Sequence, residues 1–172
     1  MPSTIWNLLQ NPNDLWGAYV FDLWTGNTDT RQYLLSREGG TRPYRVVLFD
    51  HGHCFGGPTW RFLDSSVSPD PALLSYARVS GWNDLEPWLM RLESVSPASV
   101  AGLREGIPPS WLGATGFRNL GGLLATLIAR RAAVRRFVAQ RVRGGAQPFS
   151  TWRVCRDGHW RPSQWLRHSN VA

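Results

Sequence analysis

The sequence predicts one mainly α-helical domain carrying a small β-hairpin, an α+β arrangement. Three observations lead there. Apolar residues recur at helical spacing in separate stretches, two strand-like segments flank a turn holding glycine and proline, and 172 residues suffice for one domain with a real core but not for two.

The elements follow in order. Residues 4–24 read as helical: Ile5, Leu8 and Leu9 form a short stripe, and Leu15, Trp16, Tyr19, Val20 and Leu23 form a second, with Asp14 near its start. A polar loop, GNTDTR, leads into the strand-like segments 32–36 and 44–50, with REGGTRP as the turn between them. Residues 53–80 are rich in glycine, proline and serine and read as a long loop of the kind that carries function. Helical texture resumes at 83–95, with Leu85, Trp88, Leu89 and Leu92 on one face, and continues in a short helix over 96–106. IPPSW breaks the chain before the longest helix, 119–143, whose stripe comprises Leu120, Leu123, Leu124, Leu127, Ile128, Val134, Phe137 and Val138. The tail, 144–172, reads as a short hairpin turning at RDGH or as an extended segment. The organisation is a single domain: loop and hairpin in 14–54, long loop in 53–80, helical part in 81–143, tail in 144–172.

Composition narrows the function classes. The net charge is +7, and all 19 basic side chains are arginine. That suits phosphate binding, but it also suits a GC-rich genome that replaces lysine throughout, and the alanine, glycine and proline usage favours the latter. Without lysine there is no P-loop lysine and no Schiff-base lysine. No apolar run is long enough to span a membrane, and the N-terminus lacks the pattern of a signal peptide. Cys54 and Cys155 stand far apart, outside any CxxC pair, which fits a reducing compartment; the expected location is the cytoplasm. The HGHC run at 51–54 suggests zinc at first sight, but His159 and His168 are remote and no second ligand cluster completes a site.

Three polar residues carry the chemistry. Asp22 ends the first helix, Asn27 follows five positions later, and Asp50 closes the second strand before His51 and Gly52. A hairpin returns the end of its second strand to the start of its first, so Asp50 is expected beside the loop of Asp22 and Asn27. Phosphoryl transfer needs such a group: a carboxylate to orient the attacking hydroxyl and hard oxygen ligands for magnesium on the nucleotide phosphates. Asp-x4-Asn, two short strands and Asp-x-Gly follow the order of a protein kinase's catalytic and metal-binding loops. An Asx turn at a helix end and a strand-end turn are the plain structural alternatives.

The stretch YVFDLWTGNTDTRQYLL…YRVVLFDHGHCFGG resembles the HipA-like kinase family, in its uncharacterised bacterial branch, and GWNDLEPWLMRLE and IPPSW look like later segments of it. The resemblance spans most of residues 14–112. It implies the C-terminal lobe of a kinase, with ATP and magnesium as cofactors and a protein serine or threonine hydroxyl as acceptor. Asp22 then matches the catalytic base, and Asn27 and Asp50 match the metal ligands. Asp29, Arg31 and Gly52 fall in the matched motifs near the nucleotide; Asp29 either contributes to that environment or braces the loop. The N-terminal lobe that precedes the catalytic loop in the family has no room ahead of Asp22. The resemblance therefore implies a lobe supplied by another polypeptide, a shortened chain, or a non-catalytic role on the same lobe. It also implies, by association alone, a toxin–antitoxin setting.

Two other classes remain open. An inactive interaction module would keep the fold and use tryptophans such as Trp24, Trp60, Trp82, Trp88 and Trp111 as a docking patch for a partner lobe, although core and lobe packing explains them at least as well. A nucleic-acid-binding protein would use Arg130, Arg131, Arg135 and Arg136, which can share a helix face; the plain alternative there is a solvated face, and no DNA- or RNA-binding signature accompanies them.

Overall fold

The computed structural model describes residues 7–37, 39, 43–62, 76, 78–144 and 149–152. Its helices are α1 (Asp14–Thr25), α2 (Trp82–Ser94), α3 (Pro97–Gly102) and α4 (Pro109–Arg143), and its strands β1 (Gln32–Ser36) and β2 (Arg45–Phe49) form a two-stranded antiparallel sheet. The fold is mainly helical with one hairpin, as the periodicity predicts.

The expected helix over 4–24 is corrected at its start: among the described residues the α-helix begins at Asp14, residues 7–8 form only a 3-10 turn, and residues 4–6 lie outside the described residues. Ahead of it Leu9 pairs in parallel with Tyr44, with the Gln10 N–H donating to Tyr44 O at 2.7 Å and the Tyr44 N–H to Leu8 O at 2.6 Å. Two features stop the helix there. Pro12 lacks a donor, and the Asn11 side chain is engaged elsewhere. Its Nδ2 donates to Asp14 Oδ2 at 2.6 Å and to Val46 O at 3.0 Å, while its Oδ1 accepts the Val46 N–H at 2.8 Å. One asparagine thus ties the start of α1 to β2, and the preceding residues cover the end of that strand.

Hairpin register runs from Gln32 opposite Phe49 to Ser36 opposite Arg45. With a period of two, Tyr33, Leu35, Val46 and Leu48 face inward and pack with Leu9 and Leu15, while Leu34, Val47 and Phe49 are exposed. The largest core cluster lies between helices: Tyr19, Val20 and Leu23 of α1, Leu85, Leu89 and Leu92 of α2, and Val134 and Val138 of α4, closed by Tyr76, Val79 and Phe149. A second cluster joins Val100 of α3 to Leu120, Leu123, Leu124 and Leu127 of α4.

The longest helix starts ten residues earlier than its stripe predicts, at Pro109 rather than 119. Proline is accepted at a first helical position, where its missing N–H has no partner to lose. Gly113 (φ 58°, ψ −175°) then interrupts the helix and lets it change direction. The RDGH turn and the rest of the tail beyond residue 152 lie outside the described residues, as do most of residues 63–77 of the long loop.

Three of the four arginines singled out on α4, Arg130, Arg131 and Arg135, are held by protein partners and form neither a free phosphate-tracking face nor a solvated one. Arg130 is buried: its Nε donates to Trp24 O at 2.8 Å, its Nη2 to Leu23 O at 2.7 Å, and its guanidinium lies over Phe62 and Phe137. It caps the C-terminus of α1, whose last turn contains no basic residue of its own. Trp24 answers through Nε1–H to Leu127 O at 2.8 Å. Arg131 donates to Val95 O, and Arg135 forks onto both oxygens of Glu86 (2.9 and 2.8 Å) while also bonding Glu93. Of the four, Arg136 is the exposed one. Among the described residues, no helix is long and apolar enough to cross a membrane.

Candidate functional site

The site is built where α1 stops. Gly26 takes the left-handed conformation (φ 63°, ψ 44°), its N–H and that of Asn27 both return to Asp22 O, and the chain leaves the helix as a tight loop. The turn after β2 is laid against this loop by backbone hydrogen bonds. The Thr28 N–H donates to His53 O at 3.1 Å, and the Gly56 N–H to Gly26 O at 3.2 Å. Gly56 has no alternative residue: φ is 75°, and a Cβ there would lie 1.6 Å from Arg61 O. Thr25 Oγ1 lies 3.4 Å from the buried Cys54 Sγ, which closes the contact from inside.

Asp22, the predicted catalytic base, sits at the centre of this joint. Arg31 holds it with a fork, Nη2 to Oδ1 and Nε to Oδ2 (3.2 Å for the latter), and Asn27 Nδ2 donates to Oδ1 at 3.2 Å. The Asp22 side chain is 14% exposed and that of Arg31 only 2%. Asn27 is buried as well, and its Oδ1 accepts the Asp29 N–H at 3.3 Å. Asp29 is exposed and accepts the Thr30 N–H at 2.7 Å, so it braces the loop.

Arg31 links this group to the end of β2. Its Nη1 lies 2.6 Å from His51 Nδ1. A guanidinium can only donate, so Nδ1 accepts and a neutral ring carries its proton on Nε2. Burial first, then the Arg31 charge, hold the His51 pKa below its ordinary value of 6.5, with Asp50 opposing them. The ring also meets Phe21 edge-on at 5.7 Å. Asp50, one residue away, is exposed and left-handed (φ 54°); it accepts from Gln32 Nε2 at 3.2 Å and from the Gly52 N–H at 3.3 Å. Gly52 is exposed and contributes that backbone donor.

Asp22, Asn27 and Arg31 are therefore in direct contact and Asp29 borders them; Asp50 is the chain neighbour of His51, and its own hydrogen bonds go to Gln32 and Gly52. The partner that sequence reasoning missed is His51, which the sequence presents only as the first residue of the HGHC run. Its position next to Asp50 was visible, but its approach to Arg31 depends on the packing of two turns. No group of three or more His, Cys, Asp or Glu side chains among the described residues is arranged to hold a metal. Hard oxygen donors are nonetheless present: Asp50 is exposed, and Asn27 Oδ1 keeps a second lone pair beyond the Asp29 N–H. Comparison with family models, curated proteins and solved structures finds no match for this chain.

Beside the joint runs an open cleft of about 570 Å³. The outer stripe of α1 forms its floor (Asp14, Gly17, Ala18, Phe21 and Trp24), with Leu48, Arg31 and His51 on one bank and Trp88, Arg91 and Leu92 of α2, with Val95 just after it, on the other.

Proposed function

We propose that the chain is the C-terminal lobe of a HipA-like kinase, which transfers the γ-phosphoryl group of ATP to a serine or threonine hydroxyl once a partner chain completes the nucleotide clamp. One observation carries this reading: Asp22, Asn27 and the turn that holds Asp50 are drawn into one hydrogen-bonded joint through Arg31 and His51. In this reading Asp22 accepts the acceptor's O–H and aims its oxygen, while Arg31 fixes the carboxylate. Asn27 and Asp50 would hold magnesium, which supplies charge neutralisation at the phosphates when bound.

A second reading rests on the same joint. Both Asp22 oxygens are engaged by Arg31, and Asn27 spends its amide on the same carboxylate. Such a carboxylate can be a structural fastener, and the chain would then be an interaction module on a kinase-like lobe, with the exposed Leu34, Val47 and Phe49 of the hairpin available to a partner.

Calorimetric titration of Mg-ATP into the chain and into Asp50→Gly separates the two. Glycine removes the carboxylate and suits φ 54°, so the fold should survive unchanged. Binding to the native chain that requires magnesium and vanishes in Asp50→Gly supports the kinase reading. Equal heats in the two proteins, or none in either, would leave the fastener reading standing.

A further inference from the structure

The cleft along α1 has a chemistry that the phosphoryl-transfer reading does not use. Its volume, about 570 Å³, lies within the range of small-molecule sites. Its surface is chiefly apolar and aromatic, drawn from Phe21, Trp24, Trp88, Leu48 and Val95. Gly17 seats one wall of the cleft: a Cβ there would lie 2.6 Å from the Trp88 ring, so glycine lets the indole lie against the helix.

The charges of the lining are unequal in their compensation. Arg31 is paired with Asp22. Asp14 accepts from Asn11 Nδ2 at 2.6 Å and stands in the first turn of α1, where the helix end favours a negative charge. Arg91 lies over the face of Trp88, its Cζ 4.8 Å from the ring centre, and pairs with no carboxylate among the described residues. An aromatic wall with one uncompensated guanidinium at its edge complements a flat apolar body bearing a single anionic group.

We propose that this cleft binds a small amphipathic acid, a planar apolar ring system with one carboxylate, the ring against Phe21 and Trp88 and the carboxylate on Arg91. The site adjoins the Asp22–Asn27–Asp50 joint, sharing Arg31 and His51 with it, and it stands whether or not the chain transfers phosphate.

The probe is indole-3-acetate, compared with the neutral indole-3-acetamide, titrated into the isotope-labelled chain while backbone amide shifts are followed. A ligand of this size should bind with a Kd on the order of 1 mM. Shifts should concentrate at Ala18, Phe21, Arg91 and Val95, with the acid binding about tenfold more tightly than the amide. In Arg91→Gln, a change at an exposed position, the two affinities should converge. In Val95→Trp, which puts a large ring into the lining, both should be lost. Shifts scattered over the surface, equal affinities in the native chain, or a preference for the acid that survives Arg91→Gln would each overturn the proposal. A Val95→Trp chain that still binds both would show that the ligand lies elsewhere.

Discussion

The family resemblance puts Arg31 near the nucleotide, and its surroundings show what it holds: Asp22 and His51. A guanidinium with 2% of its side chain exposed, forked onto one carboxylate and touching a histidine, has few directions left in which to meet a ligand. Removing it would strand Asp22, a largely buried carboxylate, and breaking a buried pair from one side costs about 3–5 kcal/mol. Asp22 keeps its Asn27 hydrogen bond and some solvent, so about 3 kcal/mol is expected for Arg31→Ala, measured by urea unfolding. The double variant Asp22→Leu/Arg31→Met should recover part of this loss, because replacing both partners by apolar groups removes the stranded charge. A double variant less stable than Arg31→Ala would mean that the pair contributes more than mutual neutralisation. Gly56 presents the opposite situation, in which backbone rather than charge is decisive. Alanine there must displace the Arg61 carbonyl from 1.6 Å and adopt φ 75°, so Gly56→Ala should separate the two turns and weaken the site before the helical core. Amide hydrogen exchange would report this as faster opening at Thr28 and Gly56, with Leu89 and Val134 unchanged.

Helices show where periodicity is a sufficient guide and where it is not. The hairpin was readable because alternation, turn residues and strand length all agreed, and the stripes of α2 and α4 were readable because one face of each is buried against a neighbour. The first helix was overextended because Leu8 and Leu9 fit a helical stripe locally, whereas their partner, Tyr44, lies 35 residues beyond Leu9. The α4 arginines were misread for the same physical reason: a basic side chain on a helix looks solvated until another helix presents carbonyls or carboxylates to it. Arg130 bonds carbonyls 106 and 107 residues away, a relation that no local pattern encodes. Likewise, Asp22 and Asn27 were placed together by short spacing, while the His51 bridge needed tertiary packing. The meeting of α1 and α2 makes a testable case of propensity against packing. Gly17→Ala should gain up to about 1 kcal/mol in an isolated helix. Here the new methyl group meets the Trp88 ring at 2.6 Å, and overpacking costs about 1–3 kcal/mol. The variant is expected to be less stable by about 1 kcal/mol in urea, and Trp88→Leu should relieve the clash, turning Gly17→Ala neutral or stabilising in that background. Destabilisation of the same size in both backgrounds would place the cost elsewhere than in the Trp88 ring.

For the chain as a whole, the decisive imbalance is 19 arginines against 12 acidic residues. Several arginines are tolerated near or inside the core because carboxylates and carbonyls meet them: Asp22 on Arg31, Glu86 and Glu93 on Arg135, and the α1 carbonyls on Arg130. Acid should therefore attack this molecule from two sides. Protonation removes the carboxylate partners, and the net charge rises further above +7. The sign follows from Glu86, whose pKa is held below its ordinary 4.5 chiefly by the hydrogen bond from Arg135, with burial opposing. A depressed carboxylate contributes stability that is complete above its unfolded value and is lost as pH falls through 4.5 toward the folded value. His51 acts in the same sense at higher pH: its depressed pKa means that the fold prefers the neutral ring, so a smaller loss begins as pH falls below 6.5. The thermal midpoint, followed by circular dichroism, should be nearly level above pH 7, decline gently below 6.5, and fall steeply below about 4.5. Glu86→Gln should lower the neutral-pH midpoint and flatten the acid limb, because the titrating partner of Arg135 is gone. Added salt should rescue the steep limb only in part: screening weakens the repulsion of the excess positive charge but cannot replace the hydrogen bonds that Arg135 loses. A steep limb of the same slope in Glu86→Gln would assign acid sensitivity to other carboxylates, and Asp22→Asn would then be the next variant to measure.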